Sequence, residues 1–266
     1  MSARLPRWVT LSAAAALALL YVPMLAVAVV SVNASRHGFA WRGFTLAWYA
    51  RLLGDRSVLE AAWNTVVLAA ASTAVATVLG TALALGMSRY PWPRWLRGAL
   101  DFTVYLPVVT PDIIFAAALV IAFSVLRAAS GFFQMGMTTM IIAHITFQIA
   151  FVALVVQSRL ATIGRAVEEA ARDLYADTRT LLRRVLLPLL MPGIAAGAML
   201  AFTLSLDDFV ISFFTAGPES TTLPILIYAS VRRGVTPEIH ALSTLIFLAT
   251  VLLVLGLERL TTLAKE

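Results

Sequence analysis

Apolar residues do not alternate with polar ones along this chain. They come in long unbroken blocks separated by short polar connections. A helix that crosses a bilayer needs about 20 predominantly apolar residues. Six blocks meet that length: Leu11–Val32, Ala61–Met87, Phe102–Val125, Thr138–Val156, Val185–Phe214 and Ala241–Leu257. Inside lipid every backbone amide must be satisfied locally, so blocks of this length are helices unless a closed barrel forms. A barrel needs alternating segments of about ten residues, and the chain has none. The pattern predicts an all-α membrane protein with six transmembrane helices in one domain spanning residues 1–266.

Composition sharpens the picture. The 266 residues are 61% hydrophobic and 13% charged, with a mean hydropathy of +0.89. A soluble domain carries roughly a quarter charged residues. The chain has no cysteine, which removes disulfides, thiol nucleophiles and thiolate metal sites; no metal site is expected. The net charge of +6 comes from arginines in loops rather than from a basic run interleaved with aromatics, so nucleic acid is not an expected partner.

The arginines also orient the chain. With the N-terminus inside, thirteen cationic residues flank the cytoplasmic ends, from Arg4 and Arg7 through Arg159, Arg165, Arg172, Arg179, Arg183 and Arg184 to Arg259 and Lys265. Seven lie outside: Arg36, Arg42, Arg51, Arg56, Arg127, Arg232 and Arg233. Positive charge favours the cytoplasmic side, which predicts that both termini are cytoplasmic. Arg4 and Arg7 before the first block also fit a signal peptide. That block is long for one and five more follow, so it reads as a retained span.

Three connections are long. Asn33–Glu60 is aromatic (Phe39, Trp41, Phe44, Trp48, Tyr49) and predicts a short helix or hairpin at the outer interface. Thr215–His240 holds Pro218, Pro224, Gly234 and Pro237 and reads as turns around a short apolar piece, Leu223–Val231. Gln157–Arg184 is the most polar stretch. Within it Val167, Ala170, Ala171 and Leu174 share one face at helical spacing, and Glu168 stands four residues before Arg172. This is a short amphipathic helix, suited to a groove on another protein or to the membrane surface.

Carboxylates inside apolar blocks are costly and mark wet cavities or partners. Asp112 lies next to Pro111 and one turn beyond Pro107, where a kink can open a cavity; Phe115 follows on the same face. In the fifth block Ser205, Asp208, Ser212 and Thr215 fall on one helical stripe, with Asp207 about 100° away. Asp208, Asp112, Phe115, Ser205 and Ser212 are therefore candidates to line a path for a cation, and Asp207 to brace a neighbouring helix or sit at the mouth. The alternative is that these carboxylates are structural, paired with hydroxyls or arginines. His144 and Gln148 read as interhelical hydrogen-bonding residues. Gly193 and Gly197 predict a close helix approach.

The run Glu169-Ala170-Ala171, three residues, Tyr175, nine residues, then Val185-Leu186-Leu187-Pro188 resembles the EAA motif of permease subunits of type I bacterial ABC importers. Tyr175 stands where that family usually has glycine. Thr110-Pro111-Asp112-Ile113-Ile114, His144-Ile145-Thr146-Phe147, Ser205-Leu206-Asp207-Asp208-Phe209 and Leu223-Pro224-Ile225 resemble stretches of spermidine/putrescine importer permeases of the second-permease type. The resemblance covers about Tyr21 to Leu257. It implies a type I importer permease (MetI-like) fold. It also implies a coupling helix within about 162–184 that docks on a cytoplasmic ATP-binding subunit through Glu169, Ala170, Ala171, Asp173, Tyr175, Leu187 and Pro188. The implied setting is the bacterial inner membrane, with membrane lipid, a second permease and an extracytoplasmic solute-binding protein as partners, and polyamines as cargo. The chain has no phosphate-binding Gly-x-x-x-x-Gly-Lys-Ser/Thr loop and no Ser/His/Asp set in a plausible soluble site, so no catalysis and no cofactor is expected of it, with ATP bound by its partner. The same machine carrying an amino-acid-like compound or a metal-ion chelate, or a self-sufficient channel, are the competing readings.

Overall fold

The protein is described by a computed structural model over residues 7–35 and 40–263, with side chains for 8–35 and 40–252. Arg4, Arg36, Phe39 and Lys265, and the side chains of Arg7 and Arg259, lie outside the described residues. Twelve helices follow one another among the described residues: α1 Arg7–Ser31, α2 Ala47–Gly54, α3 Arg56–Arg89, α4 Arg94–Val109, α5 Asp112–Ser130, α6 Met137–Ile163, α7 Ala166–Asp173, α8 Thr178–Thr180, α9 Leu187–Asp207, α10 Val210–Thr215, α11 Leu223–Arg233 and α12 Pro237–Leu263. A π-helical turn, Leu181–Leu186, joins α8 to α9. Five stretches are long and apolar enough to cross a membrane: Trp8–Ser31, Arg56–Arg89, Asp112–Ser130, Met137–Ile163 and Thr178–Asp207, with Pro237–Leu252 a shorter apolar helix.

Two of the expected spans are broken. Phe102–Val125 is divided between α4 and α5, because Pro111 has no amide hydrogen and pushes Thr110 into extended backbone (ψ 132°). Val185–Phe214 is divided between α9 and α10 at Asp208, whose ψ of 122° ends the helix.

The chain forms two compact units, 1–59 with 226–266 and 60–225. In the first, α1 and α2 pack on α12. Helix α1 is apolar and open on nearly every side, with Leu19 81% exposed, as suits a helix whose solvent is lipid. The aromatic connection is the expected short helix, α2, preceded by an antiparallel bridge between Asn33 and Phe44. Asn33 organises it. Its amide donates to the Ala40 carbonyl at 3.0 Å, and its side-chain oxygen accepts from the Ser35 and Arg42 amides at 3.1 and 3.0 Å. Trp48, buried, donates to the Asn33 carbonyl at 2.9 Å, while Trp41 and Phe44 stay exposed.

The second unit is built on α6, which packs against α4, α5, α9 and α10. Val152, Val156 and Leu160 of α6 bury against Leu181, Leu186 and Leu190. The close approach expected at Gly193 and Gly197 occurs within this chain. A Cβ on Gly193 would meet the Arg159 side chain at 2.6 Å, and one on Gly197 would sit 3.4 Å from Val152. Gly80 of α3 does the same against α6, where a Cβ would lie 2.7 Å from the Val152 Cβ and 2.9 Å from the Ile149 carbonyl. Backbone cannot yield there as a long side chain can.

Gly80→Ala is therefore expected to destabilise the protein by about 1–3 kcal/mol relative to Gly86→Ala, since a Cβ on Gly86 meets nothing within 4 Å. Both changes bring the same helix propensity, so the difference between their thermal midpoints in detergent isolates the clash.

Candidate functional site

Two helix breaks meet at one cavity. The first is Thr110-Pro111, after which Asp112 opens α5 and places its carboxylate at the positive end of that helix. The second is Asp208. Its side chain turns back as a cap on α10, Oδ2 accepting from the Ser212 amide at 2.7 Å and Oδ1 from the Ile211 amide at 3.3 Å. Such capping supplies partners to amides that a helix start leaves orphaned.

Behind Asp208 lies a buried polar hub. His144 of α6 is wholly buried. Its Nδ1 bonds the Ser205 hydroxyl at 2.7 Å and its Nε2 the Ser212 hydroxyl at 3.0 Å. Nε2 is also 3.3 Å from Asp208 Oδ2. The carboxylate only accepts, so it favours the tautomer with the proton on Nε2, and Nδ1 then accepts from the Ser205 hydroxyl. The hub ties α6 to both halves of the broken helix, and the Ser72 hydroxyl of α3 reaches Ser205 at 3.5 Å. One turn on, Gln148 donates to the Ala201 carbonyl at 3.0 Å. His144 and Gln148 are thus the interhelical hydrogen-bonding residues that their sequence setting suggested.

The cavity in front measures about 370 Å³ and is lined by Asp112, Phe115, Asp207 and Asp208, with Pro107, Phe147, Phe151 and Phe209 among the other walls. Asp112 and Asp207 are exposed, and no side-chain partner holds either carboxylate among the described residues. Asp207 also ends α9, where the last carbonyls have no intrahelical partners and the helix dipole is negative. Carboxylates, free carbonyls and aromatic faces together attract a cation, and the rings offer apolar contact to a carbon chain.

The expected stripe on a continuous helix is corrected here. Ser205 and Ser212 do not line the cavity; they are buried on His144. Asp208 lines the cavity as expected and also caps α10, while Asp207 opens on the same cavity rather than bracing a neighbouring helix, because the chain turns between them. Phe147, Phe151 and Phe209 were not singled out from the sequence. The i, i+4 spacing of Phe147 and Phe151, one turn and two turns after His144, was the available signal.

The polar segment after α6 lies apart from the cavity. Helix α7 carries Glu169, Ala170 and Asp173 exposed, and Ala171 half-buried against the core. Glu168 pairs with Arg89 at the end of α3. The helix closes with the Tyr175 amide on the Arg172 carbonyl at 2.9 Å and the Ala176 amide on the Ala171 carbonyl at 3.0 Å. This paired arrangement is the Schellman end, and it demands a left-handed residue, usually glycine. Tyr175 takes that place itself, at φ 61°, rather than forcing a different turn. Non-glycine residues there cost of order 1–3 kcal/mol. Asp177 then caps α8, accepting from the Thr180 amide at 2.8 Å, and hydrogen bonding by Thr180 holds its carboxyl below the usual carboxylate range. The π turn before Leu187 and Pro188 has a local cause. Pro188 lacks the amide that Arg184 would bond, and its ring crowds that carbonyl, so the helix widens; the Leu187 amide reaches back to Leu182.

Residues 76–264 match the model of the family described as binding-protein-dependent transport system inner membrane component. The chain is 42% identical to the putrescine transport system permease protein PotI of Escherichia coli (strain K12), over 85% of this chain and 81% of that one. It is 39% identical to the spermidine/putrescine transport system permease protein PotC of the same organism, over 90% and 88%. In fold it is similar to a chain of a bacterial ABC transporter involved in the import of the acidic polysaccharide alginate, at TM-score 0.72 and 20% identity, covering 93% and 91%. It is also similar to a chain of the MetNI methionine ABC transporter, at TM-score 0.62 and 17% identity, covering 81% and 95%. The family match extends over most of the chain and the relatives align along nearly all of it: the protein belongs to the family of binding-protein-dependent transport system inner membrane components.

Proposed function

We propose that this chain is the translocating permease subunit of an ATP-driven importer that carries polyamines, putrescine or spermidine, across the inner membrane. The observation that carries this reading is the cavity between the two helix breaks. It offers two open carboxylates, Asp112 and Asp207, and four phenylalanine rings to a flexible chain with an ammonium at each end. The polyamine names of PotI and PotC agree with that chemistry. Asp208 serves the same site indirectly: with His144, Ser205 and Ser212 it holds the break open so that Asp207 and the end of α9 face the cargo.

In this reading residues 1–266 form one permease domain with six spans, the sixth being α12, and both termini are cytoplasmic. A second permease completes the pathway. A solute-binding protein meets Asn33–Glu60 and Thr215–His240 from outside. Two ATP-binding subunits engage the segment 162–184, with Glu169, Ala170, Asp173 and Tyr175 as the contacting surface, Ala171 packing α7 onto the core, and Leu187 and Pro188 carrying the push into α9. ATP is hydrolysed by those partners, and this chain needs no cofactor.

Three outcomes test the assignment. In vesicles containing the whole transporter, Asp112→Asn and Asp207→Asn are each expected to raise the KM for labelled putrescine about tenfold or more, the loss of one charge-assisted contact. Expression and thermal stability should stay as in the wild type, and unaltered uptake at limiting substrate would place the cargo elsewhere. Asp208→Ala is expected to act differently. It strips the α10 cap and lowers the thermal stability of the assembled permease by about 1–2 kcal/mol, with Asp207→Ala neutral in the same melt. Glu169→Arg is expected to release the ATP-binding subunit on co-purification, and a complex with full substrate-stimulated ATP turnover would count against docking there.

A further inference from the structure

Among the described residues three non-glycines hold a left-handed backbone: Phe133 at φ 67°, Tyr175 at 61° and Glu219 at 63°. One of them gains a side-chain contact in that position, the Phe133 ring stacking on Phe123 with centroids 6.3 Å apart; at Glu219 the turn itself gains one, its backbone carbonyl accepting from the Asn64 side-chain amide at 3.0 Å. Tyr175 gains none: its ring is 97% exposed, and the adjoining Leu174 is 83% exposed. Glycine would relax the backbone and remove the ring from water, so nothing among the described residues accounts for a tyrosine at that corner. Strain without an internal return points to a contact made outside the chain.

We propose that Tyr175, with Leu174, is an anchor that inserts into an apolar, ring-sized pocket of the ATP-binding subunit and helps to select that subunit. This rests on the reading of α7 as the docking helix and names a contact within it. The charge around the tip describes the pocket's rim. From Glu169 to Asp177 the exposed charges are Glu169, Arg172, Asp173 and Asp177, three negative and one positive. An acidic collar around an apolar tip fits a basic rim on a protein. It is poorly suited to an anionic membrane surface, which attracts basic segments. Arg179, Arg183 and Arg184 follow Asp177 in the chain, and the Arg184 guanidinium acts on Asp177 at the far side of the collar, away from the Tyr175 corner in sequence. A tyrosine supplies a large, rigid contact at low entropy cost, and aromatic anchors of this kind carry much of an interface's affinity.

The test uses the complete permease pair in nanodiscs and its cognate ATP-binding subunit. Tyr175→Gly and Tyr175→Asn both suit the left-handed backbone and lack the ring. Each is expected to leave the thermal midpoint of the permease pair alone unchanged or raised. Each should weaken binding of the ATP-binding subunit about thirtyfold, a hot-spot loss. Tyr175→Phe should bind as the wild type does. Wild-type affinity in both Gly and Asn variants would overturn the anchor. If Glu169→Arg still detaches the subunit in that case, the docking reading survives without it; if neither change matters, the docking reading falls as well. A Tyr175→Trp probe separates the membrane. Its emission, taken as the difference from the wild type because the chain has six native tryptophans, should shift to the blue only when the ATP-binding subunit is added, and a shift from lipid alone would overturn the proposal.

Discussion

A carboxylate placed in the middle of an apolar helix bundle must find hydrogen-bond donors within the protein, and Asp208 finds them by breaking its own helix. Two amides of α10 and the imidazole of His144 satisfy it. The cost of burying the charge is thereby turned into a fixed corner of backbone. Everything chemical about the site depends on that corner. It ends α9 at Asp207 and exposes that residue to the cavity, at the end of the helix where the dipole is negative. The serines on either side, Ser205 and Ser212, are what make the corner rigid, because each is bonded to the buried histidine rather than to solvent or cargo.

The opposite wall uses a simpler device. Pro111 cannot continue α4, so a new helix starts at Asp112 and its positive end stabilises the carboxylate there. One acid is thus set at the start of a helix and the other at the end of one, with phenylalanines from three elements between them. On the proposed path the two would differ in strength as cation ligands for this reason: the dipole of α5 opposes a cation at Asp112, and that of α9 favours one at Asp207. The proposed docking segment is built on separate constraints. The Schellman end of α7, the Asp177 cap and the widened turn before Pro188 fix how α7 connects to α9, with no side chain shared with the cavity.

Much of this was legible in the chain, and the parts that were not share a cause. Block length and hydropathy located the long helices, and Pro111 announced the first break through the loss of an amide. The second break carries no proline or glycine. Leu204 to Ile211 continues a helical rhythm, and a helical wheel puts Asp208 on the path and Asp207 against a neighbour or at the mouth. The missed signal was that aspartate is a strong helix-capping residue, so an Asp-Asp pair inside an apolar run can be one cap and one open ligand. His144 and Gln148 were read correctly because a lone polar group in an apolar helix has few alternatives to bonding across an interface. Tyr175 was visible as a departure from the motif, but sequence spacing does not say whether a residue bends the turn or submits to it; its φ of 61° shows that it submits.

The central claim is that a polyamine passes through the cavity bounded by Asp112 and Asp207. The chain's lack of cysteine permits a direct measurement. A single thiol at Leu204, on the cavity wall, leaves both carboxylates in place. In the assembled transporter Leu204→Cys should react with a small cationic thiol reagent, and spermidine or putrescine should slow that reaction in a saturable way while a neutral solute of the same length does not. Labelling that proceeds at the same rate with and without polyamine would contradict the account.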